Sequence, residues 1–336
     1  MGKQLRIWLF VLLGTLFTSS TLLAEGVITM TSSRGVGEEI LLEILAKGDI
    51  AIDGALETGE MSEDGFKFYT IKSQTITIRG DVTSLNCGDS ELTSLNLSQN
   101  TVLTSLECSY NQLTSLDVSK NTALTILDCF SNKLTNLDVS KNTALKELYC
   151  GANQLTSLDV SKNTALTDLH CSENQLTSLD VSGCTALTTL YCFDNQLTSL
   201  DLSQNTALTE LSCNGNQLTS LNVSKNRALT TLFCGGNQLT SLDVSKNTAL
   251  EGLYCSENQL TSLNISGCAR LEVLFYFSNC INGEAMTKLV NSLPDRRGMG
   301  HGTIFLVDRS SKKRDKNRCS AADVTTARKK NWEVQQ

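Results

Sequence analysis

A unit of 21 residues governs this chain. Segment 103–123, LTSLECSYNQLTSLDVSKNTA, recurs nearly verbatim from Val82, Leu103, Leu124, Leu145, Leu166, Leu187, Leu208, Leu229 and Leu250, and a degraded tenth copy starts at Leu271. A period of this length sustained without insertion marks a stacked array, in which each unit contacts only its neighbours. Each unit reads LxxLxCxxNxL followed by xxLDVSxNTA. The second half copies the first: Leu103, Leu106, Cys108 and Asn111 correspond to Leu113, Leu116, Val118 and Asn121. Apolar residues spaced by three and two cannot hold a helical stripe of period 3.6. They suit a short extended segment that alternates in and out, then a turn. One coil cannot bury its leucines, whereas coils stacked ~4.8 Å apart can. The expected fold class is a β-rich repeat solenoid, with parallel β-ladders on both faces and little or no helix in the repeats.

These motifs resemble the leucine-rich repeat family, in the short bacterial subclass where Cys replaces the third leucine, as in internalin-like surface and secreted proteins. The resemblance implies a non-enzymatic binding module for protein–protein interaction or adhesion at a host or neighbouring-cell surface. The runner-up functions are an envelope scaffold and a polysaccharide-binding surface protein.

A tight inward turn leaves backbone groups without partners, and a buried Asn side chain offers both donor and acceptor. Asn111, Asn132, Asn153, Asn174, Asn195, Asn216, Asn237 and Asn258 are expected to stack as one ladder, and Asn100, Asn121, Asn142, Asn163, Asn205, Asn226 and Asn247 as another. Cys184 and Cys268 replace the asparagine of the second half. Nine further cysteines, Cys87, Cys108, Cys129, Cys150, Cys171, Cys192, Cys213, Cys234 and Cys255, recur every 21 residues at an inward position. Clustered CxxC pairs that would hold zinc do not occur. The ladder cysteines read as small buried hydrophobes, with scattered disulfides as the alternative.

The sequence divides into four regions, the repeats among them. Segment 1–24 reads as a secretory signal peptide, with Lys3 and Arg6 before an apolar run too short to span a bilayer. A β-rich cap follows over 25–81, the repeats over 82–279, and an α/β cap over 280–336. Met286, Leu289, Val290 and Leu293 have helical spacing, and Ser320 with Asp323 reads as a capping box. The expected location is therefore outside the cytoplasm: secreted, periplasmic or on the outer cell surface of a bacterium. No transmembrane segment is expected in the mature chain.

The formal net charge of −7 argues against nucleic acid as a partner. Segment 280–336 runs the other way, with 12 Lys/Arg against 6 Asp/Glu. Its basic run from Arg309 to Arg318 reads as a solvated loop. Only two histidines are present, His170 and His301, and no nucleotide, zinc-protease or serine-hydrolase motif occurs. No cofactor, metal or catalytic residue is assigned.

The binding face is read from variation among the units. The second half repeats Thr-Ser-Leu-Asp-Val-Ser with few changes, and its outward Asp column reads as a solvated face partly offset by lysines. In the first half the position before the ladder Cys changes in almost every coil. All ten aromatics between Val82 and Asn279 lie in that half. Tyr149, His170, Tyr191, Phe193, Phe233, Tyr254, Phe275 and Phe277 are the candidate ligand-binding residues, since aromatics gathered on one face commonly mark interfaces. Cross-strand ring packing that merely stabilises the sheet is the competing reading.

Overall fold

The computed structural model describes residues 26–63, 65–307 and 315–335. The leader expected over 1–24 and the first part of the basic run, 309–314, lie outside them. The first-half Leu-x-Cys segments form three-residue strands, from Ser105–Glu107 through Ile126–Asp128 and onward to Val273–Phe275, paired parallel and in register at every step. Each strand buries its central leucine, and the flanking side chains point outward. The inward leucines, cysteines and valines form one continuous core along the stack. The molecule is a parallel β-solenoid with no helix in its repeats.

Both ends of this ladder are closed by strands. At the N-terminal end, β1 (Val27–Ser32), β2 (Glu39–Asp53), β3 (Ala55–Met61), β4 (Lys67–Ile71) and β5 (Thr75–Asn86) form an antiparallel cap. Strand β5 belongs to cap and solenoid at once. Its Ser84–Asn86 end pairs parallel with Ser105–Glu107, while β2 covers its other edge over Asp81 to Asn86. The boundary drawn between Asp81 and Val82 thus falls inside a strand. At the other end the ladder gains Gly302–Phe305 and then Trp332–Gln335. These are joined through α1 (Gly283–Ser292) and α2 (Ala321–Lys329). Helix α1 buries Met286, Leu289 and Val290, and α2 opens on the reciprocal Ser320–Asp323 capping box.

The second face carries its ladder in reduced form. Only Ser241–Asp243 and Ser262–Asn264 pair there as parallel strands among the described residues. Elsewhere the backbone reaches the preceding coil by a single backbone–backbone bond, as from Gln154 N–H to the Leu134 carbonyl at 2.9 Å. The donors that follow are used within their own coil. Ser161 N–H goes to Asp159 Oδ1, Asn163 N–H to the Val160 carbonyl and Leu166 N–H to the Asn163 carbonyl. Side-chain and short-range turns of this kind compete with a ladder for the same groups.

The two asparagine columns also differ. Asn174 Nδ2 donates to the carbonyls of Cys150, Cys171 and Ser172 at 3.0–3.2 Å, and its Oδ1 accepts Leu155 N–H at 2.9 Å. Asn163 Nδ2 donates to the Val139 and Asn142 carbonyls, but its buried Oδ1 finds no protein partner. The second column therefore uses only half of the donor–acceptor pair expected of it. This is why cysteine fits there: the Cys184 thiol reaches the Val160 and Asn163 carbonyls at 3.7 Å, as a weak donor with nothing to accept.

One feature of the turn was invisible in the sequence pattern. The residue before each first-column Asn lies in the left-handed region, from Tyr110 at φ 53° through Ala152 and Asp194 to Ser278 at φ 55°. Only Gly215 and Gly236 supply a glycine there, although that conformation favours one. The residue types vary because the constraint is on the backbone, held by the Asn bonds around it.

Candidate functional site

Because register is kept, residues just before the ladder Cys become nearest neighbours across strands. Tyr149, His170 and Tyr191 are successive partners, as are Phe233, Tyr254 and Phe275. Their rings pack in two runs. His170 lies 4.7 Å from Tyr149 edge-on and 4.3 Å from Tyr191 stacked. Phe233 stacks on Tyr254 at 4.3 Å, Tyr254 meets Phe275 edge-on at 5.3 Å, and Phe275 meets Phe305. Phe277 also packs on Phe305, at 4.8 Å. Phe305 was not legible as part of this face, because nothing in 302–305 repeats the 21-residue motif. Its strand joins the ladder only through tertiary pairing.

Stacking leaves most of these rings half-buried; of the eight candidates only Phe233, at 37 % exposure, is an exposed side chain. Ring packing that stiffens the sheet and a ring-lined surface are thus features of the same residues. Between the two runs stands Ser212, paired with Tyr191 on one side and Phe233 on the other. An opening of about 250 Å³ lies over it, lined by Tyr191, Phe193, Ser212, Asn214 and Phe233.

The electrostatics separate the faces. The outward first-half positions from Asp89 to Glu272 carry twelve carboxylates against two lysines, Lys133 and Lys146. Burial, with neighbouring Asp128, Glu43 and Glu147, raises the Glu107 carboxyl above its ordinary value, and burial likewise raises Asp128. Tyr191 donates its hydroxyl to Glu210, which with burial pushes the phenol up to about 12. Tyr149 donates to Glu147 at 2.9 Å. Burial lowers the His170 imidazole, against the pull of Asp168, Glu210 and Glu147.

The second face is near balance, and its Asp column behaves oppositely. Asp117, Asp138, Asp159, Asp180, Asp201 and Asp243 each accept from the serine two residues on, and these bonds hold their carboxyls below the usual range. None forms an ion pair among the described residues. The lysines expected to offset this column are secondary to the serines.

The ladder cysteines are fully buried and unpaired. Burial pushes the Cys171, Cys213 and Cys255 thiols up to about 12, so they remain thiols rather than reactive thiolates. Cys280 and Cys319, outside the ladder, are partly exposed. Among the described residues no cluster of His, Cys, Asp or Glu is placed to hold a metal, and no helix is long and apolar enough to cross a membrane.

A leucine-rich repeat model spanning two copies matches residues 164–205 and again 185–226. With its 21-residue coils, asparagine columns and buried cysteines, the chain has the leucine-rich repeat fold of the bacterial internalin-like proteins. It is similar to the functional domain of InlJ from Listeria monocytogenes, which includes a cysteine ladder. The two share 38 % identity over 71 % of this chain and 52 % of that one, with a TM-score of 0.63. A leucine-rich repeat protein of Leptospira interrogans is also similar, at 25 % identity over 71 % of this chain and 62 % of that one, with a TM-score of 0.60. The chain thus spans about half the length of the first and under two thirds of the second. No curated protein sequence matches it.

Proposed function

We propose that this protein is an exported, non-enzymatic adhesion module that docks a partner protein on the first-half face of its solenoid. The observation that carries the reading is the asymmetry of the faces. One face gathers the rings, the sequence variation and the negative charge; the other repeats itself and is electrically balanced. Interface hot spots favour aromatic residues, and acidic surroundings select basic partners and speed their encounter. The leader-like segment 1–24 supports export, and cell-surface exposure is the setting in which such a face meets a host or neighbouring cell.

The test uses beads coated with the protein and counts their attachment to intact target cells before and after the cells are stripped with trypsin. Attachment is expected to disappear after trypsin and to persist after deglycosylation. Replacing Tyr191, Phe193, Phe233 and Tyr254 together with Ser is expected to abolish it, while Asp159→Asn with Asp180→Asn on the other face leaves it intact. The quadruple variant also loses ring–ring packing of about 0.5–1.5 kcal/mol per pair, so its fold is checked by circular dichroism at the assay temperature. Attachment that survives the quadruple change, or that is lost with the two Asp changes instead, refutes this assignment of faces.

A further inference from the structure

The column that runs Tyr149, His170, Tyr191, Ser212, Phe233, Tyr254, Phe275, Phe305 is ring after ring except at Ser212. Tyr191 and Phe233 stand two ladder steps apart, ~9.6 Å. One planar group placed between them would lie ~4.8 Å from each. That is close to the 4.3 Å at which His170 meets Tyr191 and Phe233 meets Tyr254. The floor of the opening is polar, with Ser212 Oγ donating to Asn214 Oδ1 at 2.7 Å. Glu210 stands beside it, holding the Tyr191 hydroxyl, and Asp194 is exposed on the same coil as Tyr191.

Next to this gap the face is cut down to backbone. Gly215 and Gly236 occupy a position where every other coil carries a side chain, and Gly235 one that is also glycine at 88 and 151. They line a second hollow of about 290 Å³ with Asn214, Ser256 and Glu257. Asn214 borders both hollows, so gap and shelf adjoin across consecutive coils. Gly215 lies at φ 63°, and the space a Cβ would fill is taken by Asp194 Oδ1, which comes within 2.0 Å of that point.

The geometry points to an arginine of a basic partner segment, its guanidinium inserted between Tyr191 and Phe233 over Ser212 and the flanking chain lying on the glycine shelf. A neutral ring would fill the gap but leave the excess of ten carboxylates on this face unanswered. A guanidinium is planar, stacks on aromatic faces, offers a fork of donors to carboxylates such as Glu210, and sheds water more readily than an ammonium. This inference rests on the face assignment proposed above.

The experiment titrates the full protein with a blocked arginine-rich peptide, a lysine peptide of equal length and a neutral chito-oligosaccharide, by calorimetry at moderate salt. The arginine peptide is expected to bind about tenfold more tightly than the lysine peptide. Ser212→Phe, which completes the ring stack, is expected to erase that preference without lowering the melting temperature. Three results overturn the inference: no preference for arginine, a preference that survives Ser212→Phe, or sugar binding that Ser212→Phe abolishes. The quadruple Ser variant separates the two levels. A preference lost there but kept in Ser212→Phe removes the notch and leaves the face; a preference kept in both removes the face as well.

Discussion

Two asparagines eleven residues apart, in consecutive coils, do different work. Asn174 closes four bonds to the backbone of its own and the preceding coil, three as donor and one as acceptor. Asn163 makes two and uses only its amide group. A buried group left without its partner costs about 1–3 kcal/mol. Asn174→Ala is therefore expected to cost about that much, chiefly through the stranded Leu155 N–H, because the carbonyls of Cys150, Cys171 and Ser172 each keep a second donor in Asn153, Asn195 and Ala152. Asn174→Cys should be nearly as costly, since a thiol cannot replace the acceptor. Asn163→Cys should cost under about 1 kcal/mol, because Cys184 already fills the equivalent place one coil on. Urea denaturation of the three variants checks this; equal losses for the two cysteine variants would contradict it.

Within a single coil, the two extended halves present carboxylates to different surroundings. On the first half, Glu107 and Asp128 sit in a partly buried row of like charges, and their folded pKa values are raised. A raised carboxyl favours the folded state while protonated, so this contribution is present below the unfolded value and lost as pH rises through the folded one. On the second half, Asp138, Asp159 and Asp180 are held down by serine donors. Their contribution is present above the unfolded value and lost as pH falls through the folded one. Carboxyl titration followed by NMR is expected to place Glu107 and Asp128 above the ordinary carboxylate range and the second-face aspartates below it. Glu107→Gln should accordingly raise stability at neutral pH, whereas Asp159→Asn should lower it. Overlapping titrations on the two faces would refute the distinction.

Over the whole molecule, a stack is only as closed as its ends. The C-terminal cap continues the ladder by two strands, and Arg296 locks it to the last coil. Its guanidinium donates to the Leu271 and Gly300 carbonyls and to Glu272 Oε1, each at 3.0 Å, from a side chain 6 % exposed. Trp332 packs against Gly302, where a Cβ would meet the indole at 2.7 Å. Arg296→Ala is expected to cost roughly 1.5–3 kcal/mol, the range for hydrogen bonds to charged groups. It should also speed hydrogen exchange at Thr303 N–H, which bonds the Glu272 carbonyl at 2.8 Å. Unchanged exchange at Thr303 would mean the cap is held by its helices rather than by this arginine.

What the sequence determined by itself is whatever the period encodes. The inward leucines and cysteines, the outward ring column and the parallel register follow from identical neighbours stacking on identical neighbours. The break at Ser212 could be read in the column, but not its meaning, because a gap exists only once the rings on either side are known to stack. The left-handed turn residues, the donor-only role of the second asparagines and the thinning of the second ladder were decided by backbone hydrogen bonds that several residue types can satisfy equally. Phe305 and the closing strands were decided by pairing between distant segments. Such pairing depends on which edge is left unfilled when the coils are assembled, and no local pattern carries that information.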